Sequence, residues 1–340
     1  MKDKIHLFFV GNFFHFVLSH SIIGYKKLDI SRVYFITYRG FKLPSYYSSR
    51  FLFDKDKFGV EDVIKNINDF KELFENMEIC AYSAFQFTYP LARYFSEYFF
   101  FEEGASALRS RQYIIADFRD ILREIMFHFQ LFLKIGLGNN NIKGLCHGTS
   151  FFSPFPFKTT LFKLSDESYT NFLKSSCKKI KIPICSFSET KKNIHDSIII
   201  VMDRIINIGR PCDLDIYMSV LKDFLISHNF LSKSIYLKLH PADFINPDAL
   251  QIIYNSLDFF NYEVIDYGLE DIAMSDMRNI FLGSNSTVLY YAPIFGGTNR
   301  SISFARQLAQ RDTIYNDYLN KAFGGVEGFC EIFGKNVEIR

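Results

Sequence analysis

Short runs of apolar residues alternate with segments of helical periodicity along the first half of the chain. The pattern predicts strands over Ile5–Val10, Arg32–Tyr38, Glu78–Ala84 and Tyr94–Phe101, and helices over Phe13–Ile23 and Val60–Asn76. Strands that alternate with helices favour a parallel sheet covered by helices on its faces.

The same alternation returns in the second half of the chain. It predicts strands over Asp196–Met202, Ser234–Leu239, Tyr262–Ile265, Asn279–Leu282 and Ile302–Ala305, and helices over Leu214–Ser227 and Pro247–Leu257. Between the halves, Ser150–Lys158 is predicted as an extended loop, and the polar, proline-containing stretch Lys178–Asn193 as a linker. We therefore expect two Rossmann-like α/β domains, over residues 1–190 and 191–310, and a helical tail over residues 311–340.

One helical segment in the first half, Asp117–Lys134, is strongly apolar on one side, with Arg and Lys residues interleaved. Two interpretations remain open. The apolar face packs onto its own domain, or it docks on a membrane surface or a partner.

Composition and charge argue against several classes of protein. The chain has 340 residues, of which 48% are hydrophobic and 22% charged, as in ordinary folded proteins. The net charge of +2 argues against a nucleic-acid-binding protein. No apolar run is long enough to span a membrane, and the N-terminal apolar run is interrupted at Gly11-Asn12, which favours a strand over a signal peptide. Six scattered cysteines without CxxC spacing favour reduced thiols, and so a cytoplasmic protein without a zinc site.

Three short segments combine a predicted strand with polar residues at its carboxyl end, where α/β sheets build their sites. They are Glu102-Glu103-Gly104, Lys238-Leu239-His240-Pro241 and Gly283-Ser284-Asn285-Ser286-Thr287. Adjacent carboxylates keep one group poised to accept a proton, a lysine and a histidine on one strand face suit a phosphate, and hydroxyl residues at a helix start suit an anion. Each segment also has an ordinary interpretation: a solvated turn, a surface pair and a simple helix N-cap.

In order and in domain placement, the three segments resemble motifs of the bacterial GT-B sialyltransferases, which include the lipooligosaccharide sialyltransferase and polysialyltransferase families. Those families share a D/E-D/E-G motif, an HP motif preceded by a lysine, and a later Ser/Thr pair. Their fold is GT-B, with two Rossmann-like domains facing a central cleft.

The resemblance implies roles for particular residues. Glu102 is expected to act as general base, and His240 to assist the leaving phosphate. Lys238, Pro241, Ser286 and Thr287 are expected to bind the donor nucleotide. Glu270, sixteen residues before Ser286, matches the acidic residue that binds the ribose, although the proline usually found near it is absent.

The expected activity is inverting transfer of sialic acid, or a related nonulosonic acid, from a CMP donor to a hydroxyl of a bacterial surface glycan. No cofactor and no metal ion are expected, because protein groups suffice for one phosphate. The expected partners are the CMP donor and a glycan acceptor, with peripheral contact to the inner membrane if the acceptor is lipid-linked. Two alternatives remain: a CDP-glycerol-type polyol-phosphate transferase, and a non-catalytic glycan-binding or assembly protein on a GT-B scaffold.

Overall fold

The chain forms two α/β units in a computed structural model. The structure describes residues 4–38, 41, 43, 51–55, 72, 74, 77–84, 95–101, 161–162, 171, 174, 194–203, 212–240, 247–265, 268–274 and 277–340. The described residues up to Lys174 belong to the first compact unit, and those from Ile194 onward to the second.

The first unit contains a parallel six-stranded sheet in the order β3-β2-β1-β4-β5-β6. Its strands are β1 (Lys4–Val10), β2 (Val33–Tyr38), β3 (Phe51–Lys55), β4 (Glu78–Ser83), β5 (Glu97–Phe101) and β6 (Leu161–Phe162). The central strands are apolar on both faces and fully buried over most of their length, as expected of a sheet covered on both sides.

Helix α1 (Phe13–Tyr25) follows β1 and packs aromatic side chains against the sheet. Asn12 caps its amino end, because the Asn12 side chain accepts a hydrogen bond from the backbone N–H of His15 at 2.8 Å. On the helix, Phe16 packs against Phe35 of β2 with a ring separation of 6.0 Å. The four predicted strands of this half and this helix are confirmed, with ends displaced by at most three residues.

The second unit contains another parallel six-stranded sheet, in the order β12-β11-β10-β7-β8-β9. Its strands are β7 (Ile198–Val201), β8 (Ile235–Lys238), β9 (Glu263–Val264), β10 (Ile280–Gly283), β11 (Arg300–Ser303) and β12 (Glu338–Ile339). Its helices are α2 (Leu214–Ser227), α3 (Pro247–Ser256), α4 (Leu269–Met274), α5 (Thr287–Phe295), α6 (Ala305–Arg311), α7 (Thr313–Phe323) and α8 (Val326–Phe333).

The expected helical tail over residues 311–340 requires a correction. Helices α7 and α8 lie there, but the segment ends in strand β12, which pairs in parallel with β11. The segment is therefore part of the second sheet. Sequence periodicity could not reveal a two-residue strand whose only signature is its pairing with a neighbour.

Both sheets have the same strand order. Counted within each unit from its own first strand, the order is 3-2-1-4-5-6, which is that of the Rossmann fold. The strand order reverses between β1 and β4 in the first sheet and between β7 and β10 in the second. Ligands of such sheets bind outside the carboxyl ends of the strands at this switch point.

Candidate functional site

The carboxyl edge of the second sheet carries most of the predicted site residues that the structure describes. At the end of β8, side chains alternate as expected for a strand: Leu237 and Leu239 are buried, and Lys238 and His240 are half-buried on the opposite face. This alternation of burial is the one expected if Lys238 and His240 share a face.

Lys238, at the end of β8, lies on the side of the sheet that faces the outermost strand, β9. Its ammonium donates to the backbone carbonyl of Ile265, directly after β9, at 3.4 Å. The Lys238 ammonium therefore lies at the carboxyl edge of the sheet.

Helix α5 begins at this edge, directly after β10. Ser286 occupies the N-cap position with extended backbone angles (φ −64°, ψ 142°), yet its side chain makes no capping hydrogen bond. The amino end of a helix carries backbone N–H groups without helical partners and the positive end of the helix dipole. The interpretation of Ser286 as a simple N-cap is therefore not supported, and its hydroxyl lies beside a group of N–H donors suited to an anion.

Glu270 lies in the first turn of α4, the helix that leads from β9 to β10. Its backbone is therefore at the carboxyl edge of the same sheet as His240 and Ser286. Its side chain lies outside the described residues, so its expected contact with a ribose stays a prediction.

A second polar group at this edge was not predicted from sequence. Asp203 follows β7, and one oxygen of its carboxylate accepts hydrogen bonds from the Ser284 hydroxyl and, at 3.4 Å, from the Asn285 backbone N–H. The Asn285 side chain donates to the Tyr318 hydroxyl at 2.7 Å. The turn between β10 and α5 is thus held by contacts from β7 and α7. A signal was present in the sequence, because Asp203 stands just after an apolar strand, as His240 does.

Two tyrosines, Tyr217 of α2 and Tyr315 of α7, are fully buried beside Asp203. The Tyr217 hydroxyl lies against the backbone of Asp203, and the Tyr315 hydroxyl lies against the side chain of Ser284. Burial, and secondly the charge of Asp203, raise the pKa of both tyrosines well above its usual value. The half-buried Asp203 therefore lies near two fully buried phenol groups.

Several predicted residues lie outside the described residues. They are Glu102, Glu103, Gly104 and Pro241, together with the segments Val60–Asn76, Asp117–Lys134, Ser150–Lys158 and Lys178–Asn193 apart from isolated positions. Strand β5 ends at Phe101, the residue directly before Glu102 in the sequence. The assignment of Glu102 as general base stays a prediction.

Within the described ranges, no group of three or more His, Cys, Asp or Glu side chains is placed to hold a metal ion. Among the helices of those ranges, none combines the length and the apolar character needed to cross a membrane.

No protein-family model and no curated protein sequence matches this chain. In structure, the chain is similar to the 2,6-sialyltransferase of Photobacterium sp. JT-ISH-224, solved in a ternary complex with the donor product CMP and the acceptor substrate lactose. The TM-score is 0.53 and the sequence identity 11%, over 99% of this chain and 78% of that one.

Two further solved structures have lower TM-scores. The sialyltransferase of Photobacterium damsela gives a TM-score of 0.49 at 10% identity, over 99% of this chain and 81% of that one. The E. coli heptosyltransferase WaaC with ADP gives a TM-score of 0.44 at 10% identity, over 99% of this chain and 92% of that one. At such identities structural likeness defines fold and not substrate. The two Rossmann-like units and the likeness to the first of these enzymes establish that the chain has the GT-B fold.

Proposed function

We propose that this protein is a glycosyltransferase that moves sialic acid, or a related nonulosonic acid, from a CMP-activated donor to a hydroxyl of a bacterial surface glycan. The observation that carries the proposal is the amino end of α5. There the Ser286 hydroxyl is not used as a cap, at the switch-point edge that also bears Lys238 and His240. The motif order in the sequence and the GT-B fold support the same assignment.

In the proposed reaction, the phosphate of the donor lies against Ser286, Thr287 and the first N–H groups of α5. Neighbouring strands of a sheet are about 5 Å apart, so β8 and β10 are separated by about 10 Å across β7. A phosphate with its attached ribose or sugar spans that distance, and in the proposed complex His240 and Lys238 lie on the opposite side of the same ligand.

The bond changes follow from this placement. Glu102 takes the proton of the acceptor hydroxyl, and the acceptor oxygen forms a bond to the anomeric carbon of the donor sugar. The bond between that carbon and the phosphate oxygen breaks on the opposite face, so the configuration inverts. CMP leaves with the electron pair, and His240 donates a hydrogen bond or proton to the departing oxygen while Lys238 and the helix end offset its charge. Glu270 would hold the ribose.

The test is a donor screen with the purified protein. We expect measurable CMP binding by calorimetry, and hydrolysis of CMP-sialic acid or CMP-Kdo with no turnover of CDP-glycerol. Turnover of CDP-glycerol alone would instead indicate a polyol-phosphate transferase. Absence of binding to every nucleotide would indicate a glycan-binding or assembly protein.

The catalytic assignment is tested with His240→Ala and Glu102→Gln. Both variants should retain CMP binding but lose on the order of a hundredfold or more in turnover, because the two groups act mainly in the transition state. Turnover close to that of the wild type in either variant would remove that residue from the mechanism.

The acceptor and the place of the reaction belong to the same proposal. A lipid-linked acceptor would bring the enzyme into peripheral contact with the inner membrane. Asp117–Lys134 is the segment proposed for the contact.

A further inference from the structure

Asp203 lies in the middle of the carboxyl edge described above. Strand β7 is hydrogen-bonded to β8 on one side and to β10 on the other, and Asp203 follows two residues after its end. The residue therefore stands between His240, beyond β8, and the start of α5, beyond β10.

We propose that Asp203 is a specificity-determining residue of the donor site, whose carboxylate repels a second phosphate and so restricts the site to donors that carry a single phosphate. The inference rests on the proposed function, because it concerns the donor site of the same transferase.

The position of this carboxylate is fixed by two hydrogen bonds, from the Ser284 hydroxyl and from the Asn285 N–H. Asn285 immediately precedes Ser286, the N-cap residue of α5. The Asn285 nitrogen is 3.4 Å from this carboxylate and consecutive Cα atoms are about 3.8 Å apart, so the negative charge lies within roughly 8 Å of the N–H of Ser286. An anion bound to that helix end is within range of direct repulsion by Asp203.

The surroundings strengthen this repulsion. The fully buried Tyr217 and Tyr315 lie beside the carboxylate, which reduces the local dielectric and the screening of its charge. One phosphodiester charge is offset by the helix end and by Lys238 and His240. A diphosphate brings a further negative charge to the same edge, where Asp203 opposes it.

The test compares the dissociation constants of CMP and CDP by calorimetry. The variant Asp203→Asn keeps the shape of the side chain and one acceptor for Ser284, but removes the charge. Its matched control is Asp258→Asn, which removes an exposed charge between α3 and β9 at the opposite edge of the same sheet.

We expect the wild-type protein to prefer CMP, and Asp203→Asn to shift the ratio of the CDP and CMP dissociation constants about tenfold in favour of CDP. The control should leave the ratio unchanged. An unchanged ratio in Asp203→Asn, or an equal shift in Asp258→Asn, would overturn the inference.

A second variant covers the case in which Asp203→Asn does not fold. Asn285→Asp adds a charge to the same turn, keeps Asp203, and can still bond to Tyr318 by accepting from its hydroxyl. It should shift the ratio further in favour of CMP, and no shift would contradict the proposal.

If the wild-type protein binds neither nucleotide, the proposed function fails and this inference with it. If it binds CMP and the variants leave the ratio unchanged, only this inference fails.

Discussion

Gly283, the last residue of β10, has no room for a side chain. A Cβ atom built on it would lie 2.7 Å from the backbone carbonyl oxygen of Val201 on β7, a distance that real Cβ atoms do not adopt. The contact is between two backbones at the switch point, so neither side can move without shifting a strand. The close approach of β7 and β10 therefore depends on this glycine.

Gly283→Ala should reduce the free energy of unfolding by about 1–3 kcal/mol, as overpacking of a well-packed interior does. It should also weaken CMP binding, because Asp203 and Ser284 follow directly on these strands. Urea unfolding and calorimetry measure the two effects. Gly297→Ala is the control, since a Cβ there meets nothing within 4 Å. Equal stability of the two variants would contradict the steric argument.

Ser286 allows a residue-scale test of the difference between capping and ligand binding. Since its side chain makes no capping bond, Ser286→Ala should leave the unfolding free energy unchanged but weaken CMP binding. Asp213, by contrast, caps α2 by accepting from two backbone N–H groups, and Asp213→Ala should cost about 1 kcal/mol without weakening CMP binding. A stability loss in Ser286→Ala equal to that in Asp213→Ala would restore the simple N-cap interpretation.

At the scale of elements, α1 holds a largely buried histidine, His20, against the aromatic side chains of the first unit. His20 packs edge-on against Phe16, with ring centroids 4.7 Å apart, and lies over Phe35 of β2. Burial lowers the pKa of His20 from 6.5 to about 4, because the charged ring would lose its hydration.

This burial predicts how stability depends on pH. Between about pH 6.5 and pH 4, the unfolded chain binds a proton at His20 that the folded chain does not, so the free energy of unfolding falls as the pH falls through this window. One pKa unit corresponds to about 1.4 kcal/mol, so the effect of His20 approaches roughly 3 kcal/mol at pH 4. His6, whose pKa is also lowered to about 4, first by burial and then by Lys26 and Lys4, adds to it.

The variant His20→Phe keeps an aromatic ring and removes the titrating group. Urea unfolding at pH 7, 5.5 and 4.5 should show a smaller loss of stability on acidification than in the wild type. His195→Gln, at an exposed position in the second unit, serves as the control and should behave as the wild type does. An unchanged pH dependence in His20→Phe would contradict the proposed effect of burial.

At the scale of the whole molecule, the GT-B fold repeats one strand order in both units, and the described site groups lie at a carboxyl edge. In the proposed reaction a single phosphate is stabilised by Lys238, His240 and the amino end of α5. Nothing in that set requires a divalent cation, because one phosphate charge is met by protein donors.

We therefore expect transfer from a CMP donor to continue at an unchanged rate after treatment with excess EDTA. The measurement is the initial rate with EDTA, with EDTA followed by excess magnesium, and without either addition. Activity that disappears with EDTA and returns only with magnesium would contradict the proposed phosphate site.

Much of the fold follows from local sequence. The buried strands of both sheets are continuous apolar runs, and α2, which Asp213 caps in the structure, was predicted over the residues it occupies. The Ser286-Thr287 start of α5 was equally clear, since hydroxyl residues after a strand mark a helix start. Local side-chain chemistry and backbone preference act over a few residues, so these features can be read from the chain alone.

Strand pairing, strand order and contacts between residues far apart in the sequence could be established only from the tertiary structure. Strands β3, β6 and β12 were not predicted; β6 and β12 have two residues each and are defined only by pairing with an adjacent strand. The contact of Asp203 with Ser284 joins residues 81 positions apart, and the close approach of Val201 to Gly283 exists only because β7 and β10 are neighbours. The order of the strands is set by which apolar faces pack together over the whole unit, and this order places Asp203 between His240 and the start of α5.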